Sequence, residues 1–251
     1  MKEGLVSIVT PTYNSVEFIR ETISSIQQQT YNQWELLLID DCSADNTLEL
    51  INALAASDAR IKVFSTEVNS GAGVARNLGI AAANGQYLTF IDADDLWFPN
   101  FIENSIKKCL EQQAPFVFSS YRRSDEHLNF IYSDFIVPKK VTYHDILKTN
   151  SISCLTAFLD VGKLGKKFMP KIRKRQDMGL WLSYLKEIPF AVGIETPMAI
   201  YRIRENSLSR DKKALIKYQW EFYTKVEKLN YFASAYYMLN WMYLGYKKYK
   251  D

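Results

Sequence analysis

Over its first ninety residues the chain alternates strand-like and helix-like patterns, and this alternation limits the fold more tightly than any other feature. Leu5 to Thr10 is an apolar strand that Pro11-Thr12-Tyr13-Asn14 breaks. Asn14 and Glu17 form a capping-box-like pair ahead of Phe18, Ile19, Ile23 and Ile26, which recur at helical spacing. Trp34 to Ile39 is a second strand closed by Asp40-Asp41. Ser43 to Asn46 then offer caps for a helix with apolar Leu48, Ile51, Leu54 and Ala55. Ile61 to Phe64 is a third strand, Gly71-Ala72-Gly73 a loop, Val74 to Ala83 a helix and Tyr87 to Ile91 a fourth strand. Repeats of this kind predict an α/β chain with a mostly parallel sheet and helices on both faces.

The fourth strand ends in Asp92, Asp94 and Asp95, three carboxylates within four positions. In an open α/β sheet, ligands gather beyond the carboxyl ends of the strands. Like charges this close repel unless a cation or strong donors compensate them, and hard oxygen ligands suit magnesium or manganese completed by substrate phosphates. The competing reading is a solvated turn in which Asp94 or Asp95 caps the next helix. Asp40 and Asp41 end another strand and open toward the same edge. There Tyr13 offers a ring for a base to stack on, and a carboxylate can accept a uracil imide N–H. Gly71-Ala72-Gly73-Val74-Ala75-Arg76 lacks the third glycine of a dinucleotide fingerprint, but it opens a helix whose Arg76 could reach a diphosphate.

Composition narrows the function classes. A net charge of +3 over 251 residues makes no call for nucleic acid, and Cys42, Cys109 and Cys154 are too few and too scattered for a disulfide framework or a zinc knuckle. Met1-Lys2-Glu3-Gly4 leads into a strand with no cleavage pattern, which fits a cytoplasmic, reducing setting. The second half is less regular. Phe116 to Tyr121 is a strand, Arg122 to Asn129 a charged loop, Phe130 to Val137 a strand or hairpin arm, Cys154 to Leu159 a buried run and Met198 to Ile203 a strand. His144 reads as a surface residue at a helix start. Lys163, Lys166, Lys167, Lys171, Arg173, Lys174 and Arg175 form a basic stretch that is either a solvated face or a contact for an anion. The tail, rich in Tyr, Met and Trp and ending in lysines, is too polar for a membrane span. It suits the membrane interface, packing on the core, or a second subunit.

Four ordered stretches, Ser7 to Asn14, Ile39 to Asp45, Gly71 to Asn77 and Gly85 to Asp95, together resemble the signatures of family-two glycosyltransferases with the GT-A, Rossmann-like fold. Arg173 to Leu182 extends the likeness, which is nearest to bacterial enzymes of surface-polysaccharide or teichuronic-acid assembly. The resemblance implies an inverting transfer from a nucleotide-sugar donor, a UDP-sugar, to a hydroxyl of a glycan or lipid-linked glycan acceptor. It places Pro11 and Tyr13 in the nucleotide pocket, Asp41 on the base, Arg76 near the donor, and Asp92 and Asp94 in a metal-binding DxD motif with Asp95 beside them, holding Mn2+ or Mg2+. Asp177 is the implied general base, preceded by Gln176 where the family usually has Glu. The expected division is a donor half, 1–120, an acceptor half, 121–210, and a helical tail, 211–251, with peripheral membrane contact through that tail. A catalytically inactive nucleotide-sugar-binding module is the alternative, and an aspartyl-nucleophile phosphatase a weaker one.

Overall fold

Alternating residues of the apolar strands feed two separate cores, one on each face of a single sheet. A computed structural model describes residues 1–130, 132–204 and 212–248. Ile131, residues 205–211 and 249–251, and the side chains of 212–214 and 246–248 lie outside the described residues, and with them parts of the expected hairpin arm, of the 121–210 segment and of the tail. The first half contains β1 (Lys2–Thr12), α1 (Ile19–Gln27), β2 (Trp34–Asp40), α2 (Thr47–Ser57), β3 (Ile61–Ser65), α3 (Ala72–Ala82) and β4 (Gly85–Phe90). All seven residues of β2 are buried, as a central parallel strand requires. Val6, Ile8, Leu36 and Leu38 face α1, whereas Val9, Leu37, Ile39, Leu88 and Phe90 face the core on α3's side. α3 lies so close to the sheet that a Cβ on Gly79 would stand 2.4 Å from a Val9 methyl, so only glycine fits there.

The second half contains β5 (Leu96–Trp97), α4 (Phe101–Glu111), β6 (Phe116–Ser124), β7 (Lys140–Val141), α5 (Tyr143–Lys148), β8 (Phe158–Asp160), α6 (Val161–Leu164), α7 (Gln176–Leu185) and β9 (Ala191–Arg202). α8 (Lys212–Glu221) and α9 (Tyr231–Lys248) follow, with a turn of π-helix at Phe222–Val226 between them. Among the described residues the strand order is β3-β2-β1-β4-β8-β6-β9-β5, with β7 on β9. The pairs β3-β2, β2-β1, β1-β4 and β6-β9 are parallel, and β8, β5 and β7 pair antiparallel. The mostly parallel α/β expectation therefore holds, with helices on both faces and a helical tail.

Several local expectations do not hold. Pro11 and Thr12 do not break β1, which pairs with β2 through Thr12↔Asp40. Asn14 makes no capping box with Glu17. It takes φ +47, and its side chain accepts from Ala44 N–H at 2.8 Å, tying the loop after β1 to the loop after β2. α3 begins at Ala72, so the glycine-rich loop is largely the helix's first turn. β6 runs on to Ser124 through the expected charged loop. Among the described residues Phe130 to Val137 contributes no strand beyond an isolated bridge, Tyr121↔Phe135.

Candidate functional site

The carboxyl edge of the parallel strands collects the acidic residues, and their partners separate them into two groups. Asp40 accepts the Thr12 hydroxyl at 3.2 Å, the Ser43 hydroxyl at 2.5 Å and Ser43 N–H at 3.0 Å. Asp41 is buried and holds the loop between β3 and α3, accepting the Thr66 hydroxyl at 2.9 Å, Ser70 N–H at 2.9 Å and Gly71 N–H at 2.6 Å. Three of its roughly four acceptor positions are thus in use, leaving one for a base. Tyr13 stands half exposed at the end of β1, beside Pro11.

Asp92 and Asp94 have side-chain cations instead. The Arg76 guanidinium, reaching across from α3, donates to Asp92 Oδ1. Burial works to lower the Arg76 pKa, but the nearby Asp92, Cys154 and Asp177 outweigh it and raise it, so the guanidinium stays charged in a buried setting. Asp94 lies 3.5 Å from Arg204 Nη1, and burial followed by the charge of Asp92 raises its pKa.

Asp95 departs from the expectation that it joins them. It is 1% exposed, its Oδ1 accepts Arg202 N–H at 2.9 Å, and its Oδ2 has no partner among the described residues. Burial, then the charges of Asp94 and Asp92, push its pKa well above the usual carboxylate range. A carboxyl this buried, with one oxygen already held by the β9 backbone, offers little of itself to an entering cation. Its part is architectural: it clamps the end of β9 to the turn, while the Thr22 hydroxyl holds the carbonyls of Ala93 and Asp95 at 3.0 and 2.9 Å. Among the described residues no three His, Cys, Asp or Glu side chains converge as a metal-binding group. Asp92 and Asp94 remain a two-carboxylate oxygen set, which suits a hard divalent cation completed by water and phosphates.

Asp177 is placed by packing. α7 is buried along most of its length, and Trp181 packs its ring against Phe90 and Phe116, centroids 5.8 and 5.5 Å away. This seats α7 beneath β4 and β6 and leaves its first turn at the sheet edge, where the charge of Asp177 reaches Arg76. Asn150 Nδ2 donates to Asp177 Oδ2 at 3.4 Å. Gln176 points the other way, its amide donating to Ile172 O at 2.8 Å and its side chain filling the space a Cβ on Gly73 would need, 2.7 Å away. Asn77 joins α3 to the segment leading into α7 by two hydrogen bonds with the Met169 backbone, 2.9 and 2.8 Å.

The basic stretch divides as well. Lys166 donates to Ala81 O and Ala83 O at the end of α3, and Lys167 donates to Ser183 O in α7 and pairs with the Glu187 carboxylate, so both are taken up at helix C-termini within the protein. Lys171, Arg173 and Lys174 line a cleft of about 820 Å³ with Ser70, Gly71 and Tyr218. Sequence reading had no role for Arg204 or Asn150. The Arg202-Ile203-Arg204 spacing was the one available signal, since alternate strand residues share a face.

The model for "Glycosyl transferase family 2" matches residues 7–159. The putative teichuronic acid biosynthesis glycosyltransferase TuaG of Bacillus subtilis is 35% identical over 97% of this chain and 95% of that protein. The Escherichia coli UDP-Glc:alpha-D-GlcNAc-diphosphoundecaprenol beta-1,3-glucosyltransferase WfgD is 37% identical over 99% and 96%. Among solved structures, S. aureus TarS in complex with UDP-GlcNAc shares the fold with a TM-score of 0.71 at 18% identity, covering 94% of this chain and 71% of that one. A mannosyltransferase of Pyrobaculum calidifontis with GDP-Man and Mn2+ gives 0.64 at 19% identity, covering 88% and 62%.

Proposed function

The chain belongs to glycosyl transferase family 2, and from that premise we propose that it moves a sugar from a UDP-sugar to a hydroxyl of a lipid-linked glycan in bacterial surface-polysaccharide assembly. The observation that carries the reading is the meeting of Asp92 from the end of β4, Arg76 from α3 and Asp177 from the first turn of α7 at one sheet edge. Two full-length relatives, named for teichuronic acid biosynthesis and for glucosyl transfer onto a diphosphoundecaprenol-linked sugar, support the class of acceptor.

In this reading Tyr13 and Pro11 flank the base, and Asp41 both holds the 66–71 loop and offers its last acceptor position to the base. Asp92 and Asp94 would hold a divalent cation, Mn2+ or Mg2+, which would supply positive charge to the departing diphosphate. Arg76 orients Asp92. Asp177 takes the proton from the acceptor hydroxyl as its oxygen bonds the anomeric carbon, and the bond from that carbon to the diphosphate breaks on the opposite face, so the centre inverts. Asn150 steadies the carboxylate. Residues 1–120 serve the donor, 121–210 the acceptor, and the tail a peripheral contact at the inner face of the membrane.

The test is transfer from UDP-glucose and other UDP-sugars, with manganese, to a diphosphoprenyl-linked N-acetylhexosamine. Product and released UDP in equal amounts are expected. Metal-dependent UDP binding without any transfer across donors would instead support the binding-only alternative.

A further inference from the structure

α9 has two faces, and the fold accounts for one of them. Ser234 and Met238 are buried, the Tyr237 hydroxyl meets His144 Nδ1 at 2.6 Å, and the Arg175 guanidinium sits over the Trp241 ring at 5.5 Å. These contacts fasten α9 to α5 and to the segment entering α7. The opposite face turns Tyr231, Phe232, Tyr236, Leu239, Met242 and Tyr243 into solvent, with Phe232 91% and Leu239 68% exposed. Positions 232, 236, 239 and 243 form one helical stripe. No charged residue interrupts the helix from Tyr231 through Gly245. A fully solvated helix face normally carries charge, so a continuous apolar stripe marks a contact surface.

The charge around the stripe selects the occupant. Residues 212–251 carry eight lysines against two glutamates and one aspartate, and Lys247, Lys248 and Lys250 follow directly on the apolar run. A second copy of this segment carries the same net positive charge and repels it, whereas an anionic surface attracts it. Aromatic and aliphatic groups bordered by lysines are the composition that settles at the headgroup boundary of a bilayer. Among the described residues no helix is long and apolar enough to cross a membrane, so the contact lies on the surface.

We infer that the exposed face of α9 docks on an anionic lipid bilayer. The inference deepens, and rests on, the reading of a lipid-linked acceptor. Arg175 under Trp241 joins α9 to the segment bearing Lys171, Arg173 and Lys174, and Trp220 of α8 stacks on Tyr231. Docking through α9 therefore fixes how the segment that lines the 820 Å³ cleft stands relative to the bilayer, from which a prenyl diphosphate emerges.

The test is co-sedimentation of the full chain with phosphatidylglycerol–phosphatidylcholine vesicles and with pure phosphatidylcholine vesicles, at low and high salt. The chain should sediment with the anionic vesicles and be released by salt. The double variant Phe232→Ser, Leu239→Ser alters only exposed side chains. It should lose about tenfold or more in partitioning while keeping its thermal stabilisation by UDP, which is the control for folding. Lys247→Glu with Lys248→Glu should lose about fivefold or more per lysine. A parent chain that stays in the supernatant, or a serine variant that sediments as well as the parent, overturns the inference. So does a dimer, seen by sedimentation velocity, that the serine variant dissociates, since the face would then belong to a second copy. Vesicle binding without sugar transfer would leave the docking face standing and remove the acceptor reading. Transfer to a short-chain soluble acceptor without vesicle binding would do the reverse.

Discussion

The strand ends at Asp40-Asp41 and at Asp92-Ala93-Asp94 are both acidic turns on the same sheet edge, yet they are paired in opposite ways. Asp40 and Asp41 accept backbone N–H groups of Ser43, Ser70 and Gly71 and the hydroxyls of Thr12, Ser43 and Thr66. Asp92 and Asp94 face the guanidinium groups of Arg76 and Arg204. A backbone donor is fixed by the chain's course, so a carboxylate it satisfies shapes a loop. A guanidinium on a long side chain can rearrange when a divalent cation and a diphosphate arrive. The comparison assigns architecture to the end of β2 and exchangeable ligands to the end of β4.

Substitutions can break that division. Asp41→Ala should destabilise the protein by about 3 kcal/mol, because the Thr66, Ser70 and Gly71 donors lose their acceptor, which is roughly 9 °C in Tm by calorimetry. Asp94→Ala should do the contrary. Manganese-dependent UDP affinity, measured by titration calorimetry, should fall about thirtyfold or more while Tm stays within about 3 °C, since a partly exposed turn residue holds little of the core. If the two profiles were exchanged, the division would be wrong.

Glu35 sharpens the comparison as an acid at the opposite end of β2, away from the site. Burial works to raise its pKa, but Lys62, Ser7 and Asn84 donate to it and the net shift is downward. A depressed folded-state pKa contributes stability that is present above the unfolded value near 4.5 and is lost as pH falls below it. Denaturant titrations of Glu35→Gln between pH 3 and pH 6 should therefore show a shallower acid loss than the parent. Smallest of all is Gln176→Glu. The amide's bond to Ile172 O is lost and a charge is added beside Asp177, and initial rates should change by no more than about threefold.

The donor half was legible because each strand and helix there is specified locally. The apolar runs of β1, β2 and β4 are long enough to be buried on both faces, and loops of a few residues separate them from the helices. What escaped reading depended on contacts between distant positions. Asn14 serves Ala44 and not its own helix, Lys166 and Lys167 serve helix ends, and Asp95 is claimed by Arg202, more than a hundred residues later. Asn14 reads in sequence as a helix cap, Asp95 as a cation ligand or cap and the two lysines as part of a basic face, because the groups that claim them lie elsewhere in the chain. The resemblance supplied Asp177, which by spacing alone is an ordinary first-turn carboxylate. Arg204 and Asn150 become visible only once β9 and the segment before β8 are folded against the donor half.

In the proposed mechanism the carboxylates that bear the donor and the carboxylate that acts on the acceptor are separate groups meeting at one edge. Asp177→Asn tests it most directly, because the amide oxygen can still accept from Asn150 while basicity is removed. Initial transfer rates should fall by about 10²-fold or more, and the manganese-dependent Kd for the UDP-sugar should stay within about twofold. A variant with near-normal turnover, or one that loses donor affinity along with rate, would contradict the separation.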